Sequence, residues 1–194
     1  MTHRIGALVL AAGFSRRFGG NKLAAPMADG RKLIEHTLGN IAAAIAEIVI
    51  VTREETAERF SPGTIPLLVF DGAEQGMGAS LAFGVSQLPT NWDGCLVCLA
   101  DMPHIGPETY RQLASRLGPK SIVIPRHNGR RGHPVGFGRD FFPELARLDN
   151  DRGGQAIIAR HQGRVEPIEI DDPAILIDID TPKELDPKDL DPRP

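Results

Sequence analysis

Residues 8–22 read Leu8-Val9-Leu10-Ala11-Ala12-Gly13-Phe14-Ser15-Arg16-Arg17-Phe18-Gly19-Gly20-Asn21-Lys22. The apolar first half predicts a buried strand, which would bring the chain to the carboxyl edge of a sheet, where open α/β folds bind their ligands. Glycines then allow the main chain to pass close to a ligand, and two arginines and a lysine follow. Backbone N–H groups beside fixed cations are typical of a polyphosphate site. A helix-capping turn with solvated arginines remains the alternative.

Two common phosphate-binding motifs are excluded by the residues themselves. A P-loop requires Gly-Lys-Ser/Thr, whereas Lys22 stands between Asn21 and Leu23. A dinucleotide fingerprint requires Gly-x-Gly-x-x-Gly, and the nearest stretch, Gly76-Met77-Gly78-Ala79-Ser80-Leu81, lacks the last glycine. The first loop therefore predicts a nucleotide site of another kind.

Length, charge and hydropathy limit the possible classes of protein. The 194 residues suffice for one domain with a sizeable core, and we expect a single domain over residues 1–185. The proline-rich, charged stretch 186–194 predicts a disordered tail. Apolar runs fall short of the roughly 18 residues that span a membrane, and strand-like sequence follows Arg4 directly, so we expect a cytoplasmic protein with no membrane partner. The net charge of -3 argues against a nucleic-acid partner.

The two cysteines form a lone Cys-x-x-Cys pair, Cys95 and Cys98. A redox or zinc role is one interpretation. However, both lie in an apolar stretch that predicts a strand, where residues three apart point to opposite faces. With no second pair to complete a zinc site, the pattern favours two small buried side chains.

Strand-like and helical patterns alternate along the chain, which predicts an α/β fold with a mostly parallel sheet covered on both faces. The last part of the chain alternates less clearly, and residues 126–134 are predicted to form a loop. The predicted strands are residues 5–12, 48–52, 67–70, 94–99, 122–125, 135–137, 164–170 and 175–179. The predicted helices are residues 33–44, 78–88, 107–117, 140–148 and 153–161, with a last one from Thr181.

Aspartates stand at the ends of two predicted strands. Asp101 follows the most apolar strand, and Asp178 and Asp180 lie at the end of another, on the same side of it. Carboxylate oxygens suit Mg²⁺, which needs only one or two of them when nucleotide phosphates complete its shell. The alternatives are a turn aspartate for Asp101 and a helix N-cap for Asp180.

Two further segments offer ligand contacts. The stretch Gly76 to Leu81 presents bare backbone and a hydroxyl at a predicted helix start, which suits recognition of a base or ribose, although a structural turn explains it as well. His133 ends a basic stretch with Arg126, Arg130 and Arg131, which predicts either a pocket for an anionic substrate or a solvated surface loop.

In combination these motifs resemble the MobA-like nucleotidyltransferase family of molybdenum cofactor maturation, and within it the cytidylyltransferase branch. Residues 10–22 match the family pattern Leu-Ala-Ala-Gly-x-Ser-x-Arg-Met/Phe-Gly-x-x-Lys. The remaining matches follow in order over nearly the whole chain: the stretch from Gly76 to Leu81 with Gly84, Leu99-Ala100-Asp101-Met102-Pro103, Arg131-Gly132-His133-Pro134-Val135, Asp151-Arg152-Gly153 and Asp178-Ile179-Asp180-Thr181-Pro182.

The resemblance implies a Rossmann-like, three-layer nucleotidyltransferase fold and transfer of a nucleotidyl group to the terminal phosphate of molybdopterin, with loss of pyrophosphate. A nucleoside triphosphate, a molybdopterin-type phosphate, Mg²⁺ and a recipient molybdoenzyme would be its partners. By analogy, Arg17, Lys22 and Asp101 are catalytic, and Asp101, Asp178 and Asp180 hold the metal. Leu10, Ala11, Ala12, Gly13, Ser15, Gly78 and Ser80 would bind the nucleotide, and Arg131, His133 and Asp151 the second substrate.

The choice of base depends on one methyl group. The guanylyl-specific branch of the family carries glycine where this chain has Ala12, and a methyl there should crowd a purine more than a pyrimidine, so CTP is favoured. The alternatives are a guanylyltransferase on the same cofactor, a sugar- or polyol-phosphate nucleotidyltransferase, and a non-enzymatic cofactor carrier. The segment after Asp151, Arg152-Gly153-Gly154-Gln155, departs from the Gly-Ala-Arg that relatives often carry and lacks its arginine.

Overall fold

The computed structural model describes residues 3–15, 17–149 and 153–185. Eight strands form one mixed sheet in the order β3-β2-β1-β4-β7-β5-β6, with β8 paired to β5. The strands are β1 (Ile5–Ala11), β2 (Ile48–Thr52), β3 (Leu67–Val69), β4 (Gly94–Leu99), β5 (Ile122–His127), β6 (Arg130–Arg131), β7 (Val135–Gly138) and β8 (Val165–Glu169).

The α-helices alternate with these strands through most of the chain, as predicted. Short 3-10 turns add to them, among them Lys22–Ala24, Ala73–Gln75 and Pro182–Leu185. The helices are α1 (Leu33–Ala42), α2 (Glu54–Ala57), α3 (Met77–Ser86), α4 (Pro107–Arg116), α5 (Phe142–Leu145) and α6 (Gln155–Arg160). The described part of the chain contains no helix long and apolar enough to cross a membrane.

The sheet is mostly parallel because its centre is built from crossover units. β1 pairs in parallel with both β2 and β4, and β8 with β5, whereas β7 runs antiparallel between β4 and β5. Each face of the sheet carries its own apolar cluster: Val9 packs into one and Leu8 into the other. The alternation along β1 thus buries both faces, which confirms the expected α/β fold with covered faces.

The two cysteines lie in β4 on opposite faces, as predicted. Cys98 belongs to the first apolar cluster and Cys95 to the second, and both are fully buried. Burial raises the pKa of Cys95 to about 12 and raises the pKa of Cys98 as well. These thiols behave as small apolar side chains.

The helix predicted over residues 140–148 is reduced to a 3-10 turn and the four-residue α5, and the one predicted from Thr181 is a 3-10 turn over Pro182–Leu185. Two further local predictions are wrong. The predicted strand over residues 175–179 does not form: Pro173–Leu176 is a 3-10 turn, because the Asp172 side chain accepts a hydrogen bond from the Ala174 amide and caps it. Residues 126–134, predicted as a loop, contain a hairpin in which β6 pairs with the end of β5. The expected tail, residues 186–194, lies outside the described residues.

Candidate active site

The first loop and Asp101 meet at one edge of the sheet. β1 and β4 are parallel neighbours, and Leu10 is in register with Leu99, so both strands end at the same level. The Ala100 amide donates a hydrogen bond to the Leu10 carbonyl, which continues the pairing into the turn that carries Asp101. The sequence correctly placed these two motifs together, because parallel strands share their carboxyl edge.

Asp178 and Asp180 lie on an irregular segment outside the helices and strands. The Ile179 amide donates a 2.9 Å hydrogen bond to the carbonyl of Asp101. Asp101, Asp178 and Asp180 are all half-buried, and one carboxylate oxygen from each lies within 4.8 Å of the others. Three hard oxygen ligands at this spacing fit a magnesium ion, which takes carboxylates and waters.

Lys22 lies at the centre of this carboxylate cluster. Its ammonium is 2.7 Å from an oxygen of Asp101 and 3.0 Å from one of Asp180, and it donates a 2.7 Å hydrogen bond to the Ile179 carbonyl. Burial alone would lower the pKa of Lys22, but the two carboxylates outweigh it, so the pKa is raised and the side chain stays charged. A fixed positive charge therefore faces the site.

Arg17 approaches the same cluster from the solvent side. Its Nη1 lies 2.7 Å from an oxygen of Asp180, although its side chain is 76% exposed. A long, exposed arginine held at one end by a carboxylate can turn toward an incoming anion at little cost. Arg17 and Lys22, both predicted to bind the triphosphate, therefore lie beside the same carboxylate.

The predicted nucleotide-binding residues surround a cavity of about 370 Å³ beside the cluster. Gly78 does not line it, because it is buried within the first turn of α3, and Arg17 is not among its lining residues either. The predicted residues that do line it are Leu10, Ala11, Ala12, Gly13, Ser15, Ser80, Lys22, Asp101, Asp178 and Asp180.

Two turns shape the walls of this first cavity. Gly76 has φ 105°, a backbone angle that favours glycine, and it begins the ten-residue helix α3, whose first residues border the cavity. The unpaired N–H groups of a helix start suit an anionic or carbonyl ligand. Ser15 also has a positive φ, 49°, and its carbonyl accepts a hydrogen bond from the Phe18 amide, which closes the first loop.

A second cavity of about 560 Å³ adjoins the first. Leu10, Met77 and Leu99 line both cavities, so they form the wall between them. Arg131 and His133, which are predicted to bind the second substrate, line the second cavity together with Gly153 and Gly154. Asp151, also expected there, lies outside the described residues.

His133 lies between the second cavity and the carboxylates. Its amide donates a 2.9 Å hydrogen bond to the Ile175 carbonyl, while its Nδ1 is buried without a hydrogen-bond partner among the described residues. Burial lowers the pKa of His133, and the Asp101 and Asp178 carboxylates only partly oppose that shift. A neutral imidazole at this position can accept a hydrogen bond from a ligand.

The sequence analysis did not identify a cation–π contact at a residue that lines the first cavity. The guanidinium of Arg53 lies 4.5 Å from the ring centre of Phe14, which itself lines the cavity. The two residues are far apart in sequence, and only the parallel pairing of β1 with β2 brings them together. No local motif signals such a contact. Met77, in the wall between the cavities, was likewise not singled out.

Comparison with known proteins agrees with this geometry. The model of the MobA-like NTP transferase domain matches residues 7–165. The purine catabolism protein PucB of Bacillus subtilis is 32% identical over 190 residues, covering 91% of this chain and 92% of that protein. The molybdenum cofactor cytidylyltransferase of Escherichia coli K12 is 26% identical over 186 residues, 93% of each chain. The crystal structure of Rv0371c from Mycobacterium tuberculosis superposes with a TM-score of 0.82 at 26% identity, covering 93% of this chain and 94% of that one.

The chain therefore belongs to the MobA-like NTP transferase family, and its sheet has the Rossmann-like architecture of nucleotidyltransferases.

Proposed function

We propose that this protein transfers a nucleotidyl group from a nucleoside triphosphate to the terminal phosphate of molybdopterin and releases pyrophosphate. The observation that carries the proposal is the position of Lys22, whose ammonium joins Asp101 and Asp180; all three line the 370 Å³ cavity, which we propose as the nucleotide cavity. The name of the Escherichia coli relative supports the choice of acceptor.

In this reaction an oxygen of the acceptor phosphate forms a bond to the α-phosphorus. The bond from that phosphorus to the oxygen bridging the α- and β-phosphates breaks, and pyrophosphate leaves with the electron pair. The attacking phosphate is already an anion at neutral pH, so no strong general base is required. The barrier is mainly repulsion between anions, and fixed cations and alignment lower it.

The residues of the site divide this work. Lys22 and Arg17 both contact Asp180, a member of the carboxylate cluster. From there their positive charges would neutralise the triphosphate and the charge that develops on the leaving pyrophosphate. Asp101, Asp178 and Asp180 would hold Mg²⁺, which supplies charge neutralisation and orientation between the phosphates when bound. Leu10, Met77 and Leu99 would separate the nucleotide from the acceptor while leaving the reacting phosphates in contact.

We favour CTP as the nucleotide. Ala12 is 5% exposed and lines the nucleotide cavity, so its methyl group takes space that a larger purine would need. One such contact contributes about 1–3 kcal/mol to discrimination between substrates. GTP on the same acceptor is the competing nucleotide.

The test is pyrophosphate release by the purified protein with Mg²⁺, CTP and molybdopterin. Asp101→Asn keeps the shape of the side chain but removes its charge, so we expect turnover to fall by orders of magnitude. Asp171→Asn is the matched control, because Asp171 is exposed and lies outside both cavities. An Asp101→Asn variant that is folded and fully active would refute the assignment, and a carrier protein would show no pyrophosphate release at all.

A further inference from the structure

The hairpin between β5 and β6 places two arginines side by side. Arg126 and Arg131 are direct antiparallel partners, so their side chains leave the sheet on the same face. Arg131 lines the second cavity, and so does Ile124, two residues before Arg126 on the same strand. Because side chains alternate along a strand, Arg126 leaves the sheet on the same face as Ile124, beside the cavity but not among the residues that line it.

This pair is electrostatically unfavourable without a ligand. Like charges directly opposite each other across two strands destabilise a sheet. The Nε of Arg126 is buried and has no hydrogen-bond partner in the described part of the chain. Glu169, its neighbour in register on β8, forms no ion pair with it within the same residues. A buried donor without a partner and an unrelieved repulsion both favour an anion at this place.

The third arginine of the segment provides a contrast. Arg130 is in register with His127, one position further along each strand, so its side chain leaves the sheet on the opposite face. Arg130 is exposed and does not line the second cavity. The basic stretch seen in the sequence therefore divides into two arginines on the cavity face and one on the other face.

We propose that Arg126 and Arg131 form a subsite for an oxyanion, such as a phosphate monoester, on the molecule bound in the second cavity. The proposal rests on the function proposed above and specifies its acceptor as a molecule with an anionic group at this hairpin. Planar guanidinium groups bind phosphate oxygens in pairs. A bound anion would offset the repulsion between the two arginines and give the Nε of Arg126 an acceptor.

Binding of inorganic phosphate tests the subsite without any turnover. We compare wild type, Arg126→Gln, Arg131→Gln and the matched control Arg130→Gln by calorimetric titration. The nucleotide cavity can also take phosphate, but its contribution is common to all four proteins. Loss of one charge-assisted contact should weaken phosphate binding by about tenfold or more in the first two variants, while Arg130→Gln stays close to wild type.

Thermal unfolding separates this role from a merely structural one. In anion-free buffer, Arg126→Gln should melt at or above the wild-type temperature, because the repulsion is relieved. Phosphate should raise the melting temperature of wild type and of Arg130→Gln more than that of Arg126→Gln or Arg131→Gln. A structural arginine would instead give a lower melting temperature and an unchanged response to phosphate. Arg131 is exposed, so its variant should fold even if Arg126→Gln does not.

Kinetics with the acceptor distinguish which anion is bound. If the pair holds the attacking phosphate, Arg131→Gln should lower kcat and raise KM for the acceptor. If it holds a second anionic group, KM for the acceptor should rise with kcat unchanged, and KM for the nucleotide should not change in either case. Equal phosphate affinity in Arg131→Gln and Arg130→Gln overturns the subsite. That result would leave the nucleotidyl transfer itself untouched, since Asp101→Asn tests it separately.

Discussion

The Ile179 amide donates a 2.9 Å hydrogen bond to the carbonyl of Asp101, and this single contact joins two acidic motifs that are 78 residues apart in sequence. It sets Asp178 and Asp180 on either side of a residue fixed to the Asp101 turn. The Ile179 side chain is completely buried in the first apolar cluster, and this burial holds the segment against the core. The carboxylate cluster thus depends on how the irregular segment 172–180 is held.

Asp172 fixes the beginning of that segment. One carboxylate oxygen accepts hydrogen bonds from the Gly106 amide at 3.0 Å and the Thr109 hydroxyl at 2.8 Å, at the start of α4, and the other accepts from the Ala174 amide at 3.0 Å. We expect Asp172→Ala to lower the free energy of unfolding by about 1–3 kcal/mol, since it leaves part-buried donors without a partner. Chemical denaturation measures this loss, and the exposed neighbour variant Asp171→Ala should show almost none.

If the carboxylate cluster holds a metal ion as proposed, we expect Lys22 and that ion to compete for the same oxygens. In Lys22→Met the ammonium no longer occupies oxygens of Asp101 and Asp180. We therefore expect tighter Mn²⁺ binding to the nucleotide-free variant, measured by electron paramagnetic resonance, together with a large loss of turnover. Unchanged or weaker Mn²⁺ binding in a folded Lys22→Met protein would speak against a shared site.

Ala12→Gly tests the choice of nucleotide. Ala12 lines the proposed nucleotide cavity, so we expect removal of its methyl group to make room for a purine and to raise kcat/KM for GTP relative to CTP by about tenfold or more. Parallel initial-rate measurements with both nucleotides give the ratio. A ratio that does not move would show that other residues select the base.

The buried thiols should resist modification in the folded protein. Cys95 and Cys98 are at most 1% exposed, and burial raises the pKa of Cys95 to about 12. Thiolate, the reactive form, is therefore scarce at pH 8. We expect no labelling by a thiol reagent at that pH until denaturant is added, when both cysteines should react. Rapid labelling of the native protein would contradict the burial of both side chains.

The sequence predicts the central sheet well because its strands are long apolar runs. Residues 94–99 form β4 with the predicted bounds, and β1 ends one residue earlier than expected. The same reasoning fails over residues 175–179, where isoleucine at every second position has the alternation typical of a strand although no strand forms. Their backbone groups instead bond individually, for example the Ile175 carbonyl to the His133 amide. The alternation of apolar residues does not show which partners the backbone groups of this segment will bond.

The candidate site is predictable to the extent that it follows strand ends. Asp101 and the first loop are placed correctly because β1 and β4 are neighbours in register. The second cavity is different: its wall combines residues as distant as Leu10 and Gln162, which meet only in the folded chain. The division of Arg126, Arg130 and Arg131 between two faces likewise requires the hairpin register.

The central claim is nucleotidyl transfer at the Asp101 cluster, and its most direct measurement is product analysis by mass spectrometry. Wild type and Asp101→Asn are incubated with Mg²⁺, molybdopterin and either CTP or GTP. We predict a molybdopterin cytosine dinucleotide and one pyrophosphate per product for wild type with CTP, and almost none for Asp101→Asn. Absence of a dinucleotide with either nucleotide, when the same molybdopterin is converted by an authentic cytidylyltransferase, would contradict it.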